Sequence, residues 1–141
     1  MKPAFLTILP VFMGVNAMTG DIKINLNDKE YVISVDDNDT ARDVFENIGD
    51  AISLTKYAGH EYTTALWFDV AAGDKQTSEL LAGHIYYWAP GNAFVINYVD
   101  YDISPYSSIH IGEFVDKTIC DVLMESKNEI TVYINQGDEN E

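Results

Sequence analysis

Apolar and polar residues alternate in short runs along most of this chain, the period of strands that bury one face. Ile22-Lys23-Ile24-Asn25-Leu26 and Tyr31-Val32-Ile33-Ser34-Val35 are two such runs, and Asn27-Asp28 between them predicts an antiparallel hairpin. Asp36-Asp37-Asn38-Asp39 breaks the second run. Beyond it Ala41, Val44, Phe45 and Ile48 fall at i, i+3, i+4 and i+7, so the spacing predicts a short amphipathic helix. Thr40 is expected to cap its first turn, Asp43 to add favourable charge there, and Gly49 to stop it. Further strands are expected at Ile52-Ser53-Leu54 and over 62–68, around a turn at Gly59, before a polar loop at 71–76. Residues 85–88 and 94–98 flank Ala89-Pro90-Gly91-Asn92, a strong turn signal. A strand over 107–111 is expected to end at Gly112. Val115, Ile119, Val122 and Leu123 predict a second short helix, and Ile130-Thr131-Val132-Tyr133-Ile134 a closing strand.

About eight short strands, one or two short helices and no βαβ alternation predict a mainly β fold, a closed or nearly closed antiparallel barrel. Closure of the sheet also removes exposed edges.

The amino terminus carries a different pattern. Lys2 precedes an apolar stretch over 4–15 that is too short to span a bilayer, and Val15-Asn16-Ala17 offers a signal-peptidase site. We therefore expect a secretory signal peptide over 1–17, a domain over 18–136 and an acidic tail over 137–141. That predicts an extracytoplasmic protein, periplasmic or secreted. The rival start is Met18-Thr19-Gly20-Asp21, which would leave the protein in the cytoplasm. No second long apolar segment follows, so no membrane span is expected.

Charge narrows the partners. Eight Lys and Arg against 23 Asp and Glu give a net charge of −15, a field that repels phosphate backbones and anionic lipid. Nucleic acid is thereby disfavoured, cationic partners are favoured, and a soluble monomer is expected. Cys120 is the only cysteine, so no intramolecular disulfide is available, and it is expected to be a small buried hydrophobe.

Several motifs stand in a fixed order: Asn38-Asp39-Thr40-Ala41-Arg42, then Tyr57-Ala58-Gly59-His60-Glu61, then Gly83 before Tyr86-Tyr87-Trp88-Ala89-Pro90-Gly91-Asn92, and Gly112. Over about 21–135 the chain resembles the bacterial cyclophilin-like barrel family. The resemblance implies an eight-stranded barrel like that of cyclophilin, in a family whose members mostly lack an established activity. Four positions depart from the family pattern: Lys56, Tyr62, His84, and Trp88, which precedes Pro90 where the family's tryptophan follows it.

Candidate chemistry is sparse. In true cyclophilins an arginine beside an apolar pocket stabilises the twisted prolyl amide. Arg42 is the single arginine here, but it falls in the first turn of the expected helix, where pairing with a carboxylate is its expected role. His60, His84 and His110 show no i, i+2 or i+4 pair, so neither a metal nor another cofactor is expected. The Asp36-to-Asp39 run lacks the glycine and distal glutamate of a calcium loop, and reads as a solvated turn. The aromatic group Tyr86, Tyr87, Trp88, Tyr98, Tyr101 and Tyr106 is more suggestive. Alternation sets Ile85 and Tyr87 on one face and Tyr86 with Trp88 on the other; one face is core, and the other suits a shallow groove for rings or peptides. The candidate ligand-binding residues are accordingly Arg42, Tyr57, Glu61, Tyr86, Trp88 and Asn92. The expected function is a peptide- or small-molecule-binding module. The alternatives are a divergent peptidyl-prolyl isomerase, marked by Arg42 in an apolar pocket, or an accessory subunit, marked by a contiguous exposed apolar patch.

Overall fold

The computed structural model describes residues 20–135; the expected signal peptide at 1–17 and acidic tail at 137–141 lie outside the described residues. In chain order the elements are β1 (Asp21–Leu26), β2 (Lys29–Val35), α1 (Asp39–Asn47), β3 (Ala51–Tyr57), β4 (Glu61–Ala65), β5 (Gln76–Thr77), β6 (Glu79–Leu80) and β7 (His84–Trp88), followed by β8 (Ala93–Asn97), β9 (Tyr101–Asp102), β10 (Ser108–Phe114), α2 (Ile119–Glu125) and β11 (Glu129–Asn135). Eight strands run β2-β1-β11-β3-β4-β8-β7-β10, and pairing of β10 back onto β2 closes them into an antiparallel barrel. β5 hangs on the free end of β10, and β6 with β9 forms a separate two-stranded sheet. The expected barrel is thus observed, with three two-residue strands that no periodicity announces.

The inward-facing side chains of the alternating strands make one core, including Ile24, Leu26, Ile33, Leu54, Ile85, Phe94 and Ile111, each no more than 2 % exposed. The β1–β2 hairpin turns through Asn27 and Asp28, both at positive φ, which matches the twist of paired strands. Helix α1 lays Ala41, Val44, Phe45 and Ile48 into the core, with the Phe45 ring edge-on to Phe94. Its cap differs from expectation. Asn38, not Thr40, accepts the Ala41 N–H at 2.7 Å, while Thr40 is fully buried and donates its hydroxyl to the Ala71 carbonyl at 2.5 Å. The helix starts two residues earlier than a Thr40 cap would set it, because Asn38 already stands in the extended conformation a cap requires.

Helix α2 is held by two of the residues that depart from the family pattern. Lys56 donates to the carbonyls of Met124 and Ser126, at 3.2 and 2.9 Å, and so sets a cation at the negative end of the helix. The fully buried Tyr62 donates its hydroxyl to the Lys127 carbonyl at 2.5 Å. Val115, expected on this helix, precedes it and is exposed. Cys120 is partly rather than fully buried, and burial pushes its thiol up, away from thiolate chemistry.

Strand β10 runs through Gly112 instead of ending there. Ile111 is an extra residue, because His110 pairs with Tyr86 and Gly112 with Ile85 across β7. This β-bulge lets β10 reach β2, where a Cβ on Gly112 would lie 2.9 Å from the Ser34 carbonyl oxygen and 3.2 Å from Ile33 Cγ2. Gly112→Ala is therefore expected to lower stability by about 1–3 kcal/mol in urea unfolding, the usual cost of forcing a group into a packed site. Gly73→Ala, where a Cβ meets nothing within 4 Å, is the neutral comparison.

Candidate functional site

The outer face of the barrel carries a cleft of about 770 Å³. Its floor comes from strands β4, β8 and β7. Strand alternation that sends Tyr62, Phe94 and Tyr87 inward turns Glu61 and Thr63, Ala93 and Val95, and Trp88 outward. Its far wall is a flap made of the β6–β9 sheet and the loop after it, with Tyr101, Asp102, Ile103, Ser104 and Tyr106 lining the space. The flap is pinned at two places. Leu80 packs with Tyr86 and Val95 in a second, smaller apolar cluster, and the Tyr86 hydroxyl accepts the Leu81 N–H at 2.8 Å. At the other end Tyr101 stacks flat on the buried His60 ring, centroids 3.9 Å apart. His60 is fixed in turn by Asn97, whose amide oxygen takes the proton on Nδ1 at 2.9 Å. Trp88 stands edge-on to Tyr106 at 6.5 Å and forms the aromatic mouth.

Glu61 is the polar centre of this cleft. Its side chain is only 13 % exposed, and the nearest basic atom is His60 Nδ1 at 3.5 Å, already committed to Asn97. Among the described residues none donates a hydrogen bond to the Glu61 carboxyl. Burial without a donor pushes it up to about 7. Among the described residues no lysine or arginine lines the cleft.

A sequence model of the cyclophilin-like family matches residues 24–135, nearly all of the barrel just described. The chain belongs to the cyclophilin-like family. Its fold is also that of a hypothetical protein from Archaeoglobus fulgidus known from a solution structure. The two are 14 % identical, with a TM-score of 0.62 over 85 % of this chain and 96 % of that one. No curated protein sequence matches the chain.

The cyclophilin-like barrel brings three of the six candidate residues to the cleft: Tyr57, Glu61 and Trp88. The other three stand elsewhere. Tyr86 lies beneath the flap, 1 % exposed, and serves to hold it. Asn92 organises the turn after β7. It adopts the left-handed conformation, accepts the Tyr87 hydroxyl at 2.5 Å, and donates to the Leu66 and Phe68 carbonyls at 3.2 and 2.9 Å. Arg42 lies on α1, outside the cleft, with its guanidinium on Asp37 at 2.6 Å and Asp39 at 2.5 Å. The sequence reading missed the flap as a wall, because Leu80, Tyr101 and Ile103 sit on or beside strands two residues long. Tyr101 and Tyr106 stood in the suggestive aromatic group, but nothing local in the sequence sets their segment opposite β4, β8 and β7.

Between pH 4.5 and about 7 the folded cyclophilin-like domain keeps a proton on Glu61 that the unfolded chain releases, so this group costs stability as pH rises. Glu61→Gln is expected to stabilise the protein above pH 7 by roughly 1–2 kcal/mol, allowing for solvent at the cleft mouth. The gain should shrink as pH falls from 7 and vanish below pH 4.5, where both states are protonated; thermal unfolding of both proteins across that range checks it.

Proposed function

We propose that this cyclophilin-like barrel is a binding module that takes a small organic molecule or a short peptide segment in the cleft. An amine or other N–H donor sits on Glu61, and a flat or apolar body lies against Trp88 and Tyr106. The single observation that carries this reading is a largely buried carboxyl, facing a built cleft, to which no group among the described residues donates a hydrogen bond. Buried acceptors are costly when left without a partner, and a ligand donor would supply one. The absence of lysine and arginine from the lining, with a net charge of −15, favours a cationic or neutral ligand over an anionic one. The isomerase alternative loses support from the position of Arg42, whose guanidinium is engaged by two carboxylates away from the cleft. We place the module outside the cytoplasm on the strength of residues 1–17. A full-length product exported by a bacterial host and beginning at Met18 is the outcome that reading expects.

Trp67→Phe leaves Trp88 as the one tryptophan and turns it into a reporter of the cleft. Titration with primary amines and short peptides bearing free amino termini is expected to change its emission saturably. Glu61→Gln should weaken the tightest of these by about tenfold or more, the loss of one charge-assisted hydrogen bond. Binding that survives this substitution undiminished would place the ligand elsewhere. In the same preparation, prolyl cis–trans exchange of Xaa-Pro peptides followed by NMR is expected to keep its uncatalysed rate. Acceleration that vanishes in Arg42→Ala would make the protein an isomerase instead.

A further inference from the structure

The β10 bulge assembles a second constellation, away from the cleft. Adjacent strands β7 and β10 place His84 opposite Glu113 and Tyr86 opposite His110. In an unbroken strand His110 and Glu113, three residues apart, would face opposite sides of the sheet. The extra Ile111 shifts the alternation, so both turn outward beside His84. His84 Nδ1 and His110 Nε2 stand 2.8 Å apart, and a Glu113 oxygen lies 3.9 Å from His84 Nδ1. One ligand atom from each of the three falls within 4.8 Å of the other two. All three side chains are partly exposed, so one side of the cluster is open to water.

From this placement we propose that His84, His110 and Glu113 form a binding site for a borderline divalent transition ion, with zinc as its type. Two imidazoles and one carboxylate are a donor set that suits Zn²⁺ and its neighbours and does not suit Ca²⁺ or Mg²⁺, which take oxygen ligands. Three protein ligands with one open side leave a fourth position for water.

The surroundings are arranged as a metal site requires. Asp36 accepts from His110 Nδ1, which fixes the ring so that the Nε2 lone pair faces His84. Asp36 is itself held by the bulge, since its N–H donates to the Ile111 carbonyl at 3.0 Å, while Asn38 donates to the His110 carbonyl at 3.1 Å. Lys117 holds the far oxygen of Glu113 at 2.8 Å and leaves the near one directed at the histidines. Without metal, His84 donates its Nδ1 proton to His110 Nε2. Metal entry moves that proton to His84 Nε2 by way of solvent, and two metal–nitrogen bonds of about 2.0–2.1 Å replace one hydrogen bond. The two nitrogens must then part by roughly half an ångström to span a tetrahedral edge.

The test uses the full chain, purified without a histidine tag, with Zn²⁺ and Co²⁺ alone as probes. We expect one equivalent to bind saturably, and Co²⁺ to show the visible absorption of a low-coordinate site. His84→Asn, His110→Asn and Glu113→Gln should each weaken binding at least about tenfold. Asp36→Asn should weaken it by about 10- to 100-fold without changing the stoichiometry, and should shift the His110 tautomer seen in imidazole ¹⁵N resonances. Should a variant fail to fold, the same resonances in the unaltered protein decide the matter: Zn²⁺ should move those of His84 and His110 and leave His60 in place. Three results would overturn the site: no saturation below about 1 mM, binding undiminished in both histidine variants, or displacement of zinc by equimolar Ca²⁺.

Discussion

The barrel depends on one close approach, that of the β10 backbone to β2 at Gly112, where a methyl group would strike the Ser34 carbonyl oxygen. Without it the other seven pairings would still join all eight barrel strands, but as an open sheet. The eighth contact turns that sheet into a barrel and removes its two edges. Reaching β2 from β7 requires β10 to bend, and the extra residue Ile111 supplies the bend. The same strand also carries β5 on its free end and contacts α1, so the helix, the outer strands and the histidine group all take their positions from it. A single glycine and a single inserted residue therefore govern the shape of the molecule more than any one apolar side chain does.

Much of this architecture was legible in the chain because each barrel strand buries one face and shows it as alternation. The β1–β2 hairpin, the apolar face of α1 and the paired runs around Pro90 are local patterns, and each was found where expected. Features that depend on partners distant in sequence were not legible. Thr40 looks like a cap because nothing local reveals that Ala71 and Asp74 claim its hydroxyl. Arg42 was placed on its helix and expected to pair with a carboxylate, yet it was kept as a candidate binding residue; the structure sets it outside the cleft. Asn92 and Tyr86 were expected to bind a ligand, but neither lines the cleft: Asn92 holds the turn after β7 and Tyr86 holds the flap. The departures at Lys56 and Tyr62 acquire a reason only when α2 docks against them. His84 and His110 are 26 residues apart, and only a bulge, which breaks the period of two, sets them beside Glu113.

The cleft and the histidine group share a backing. Tyr86 supports the flap through its hydroxyl, and its ring lies edge-on to His110 at 5.3 Å. One buried tyrosine thus stands between two outward-facing sites on neighbouring strands. Glu61 faces the cleft with its carboxyl lacking a donor among the described residues, whereas the Arg42 guanidinium is paired with Asp37 and Asp39 away from it.

The protonation of Glu61 near neutrality has a thermodynamic consequence for any cation captured there. Such a guest must meet a carboxylate, so seating it drives off the proton that half of the empty molecules carry at about pH 7. The buffer then takes part in the reaction: the apparent heat of association changes with the ionisation enthalpy of the buffer, and acidification acts as a competitor for the same oxygen atoms. A compartment more acidic than the cytoplasm would unload the barrel without any change in its shape.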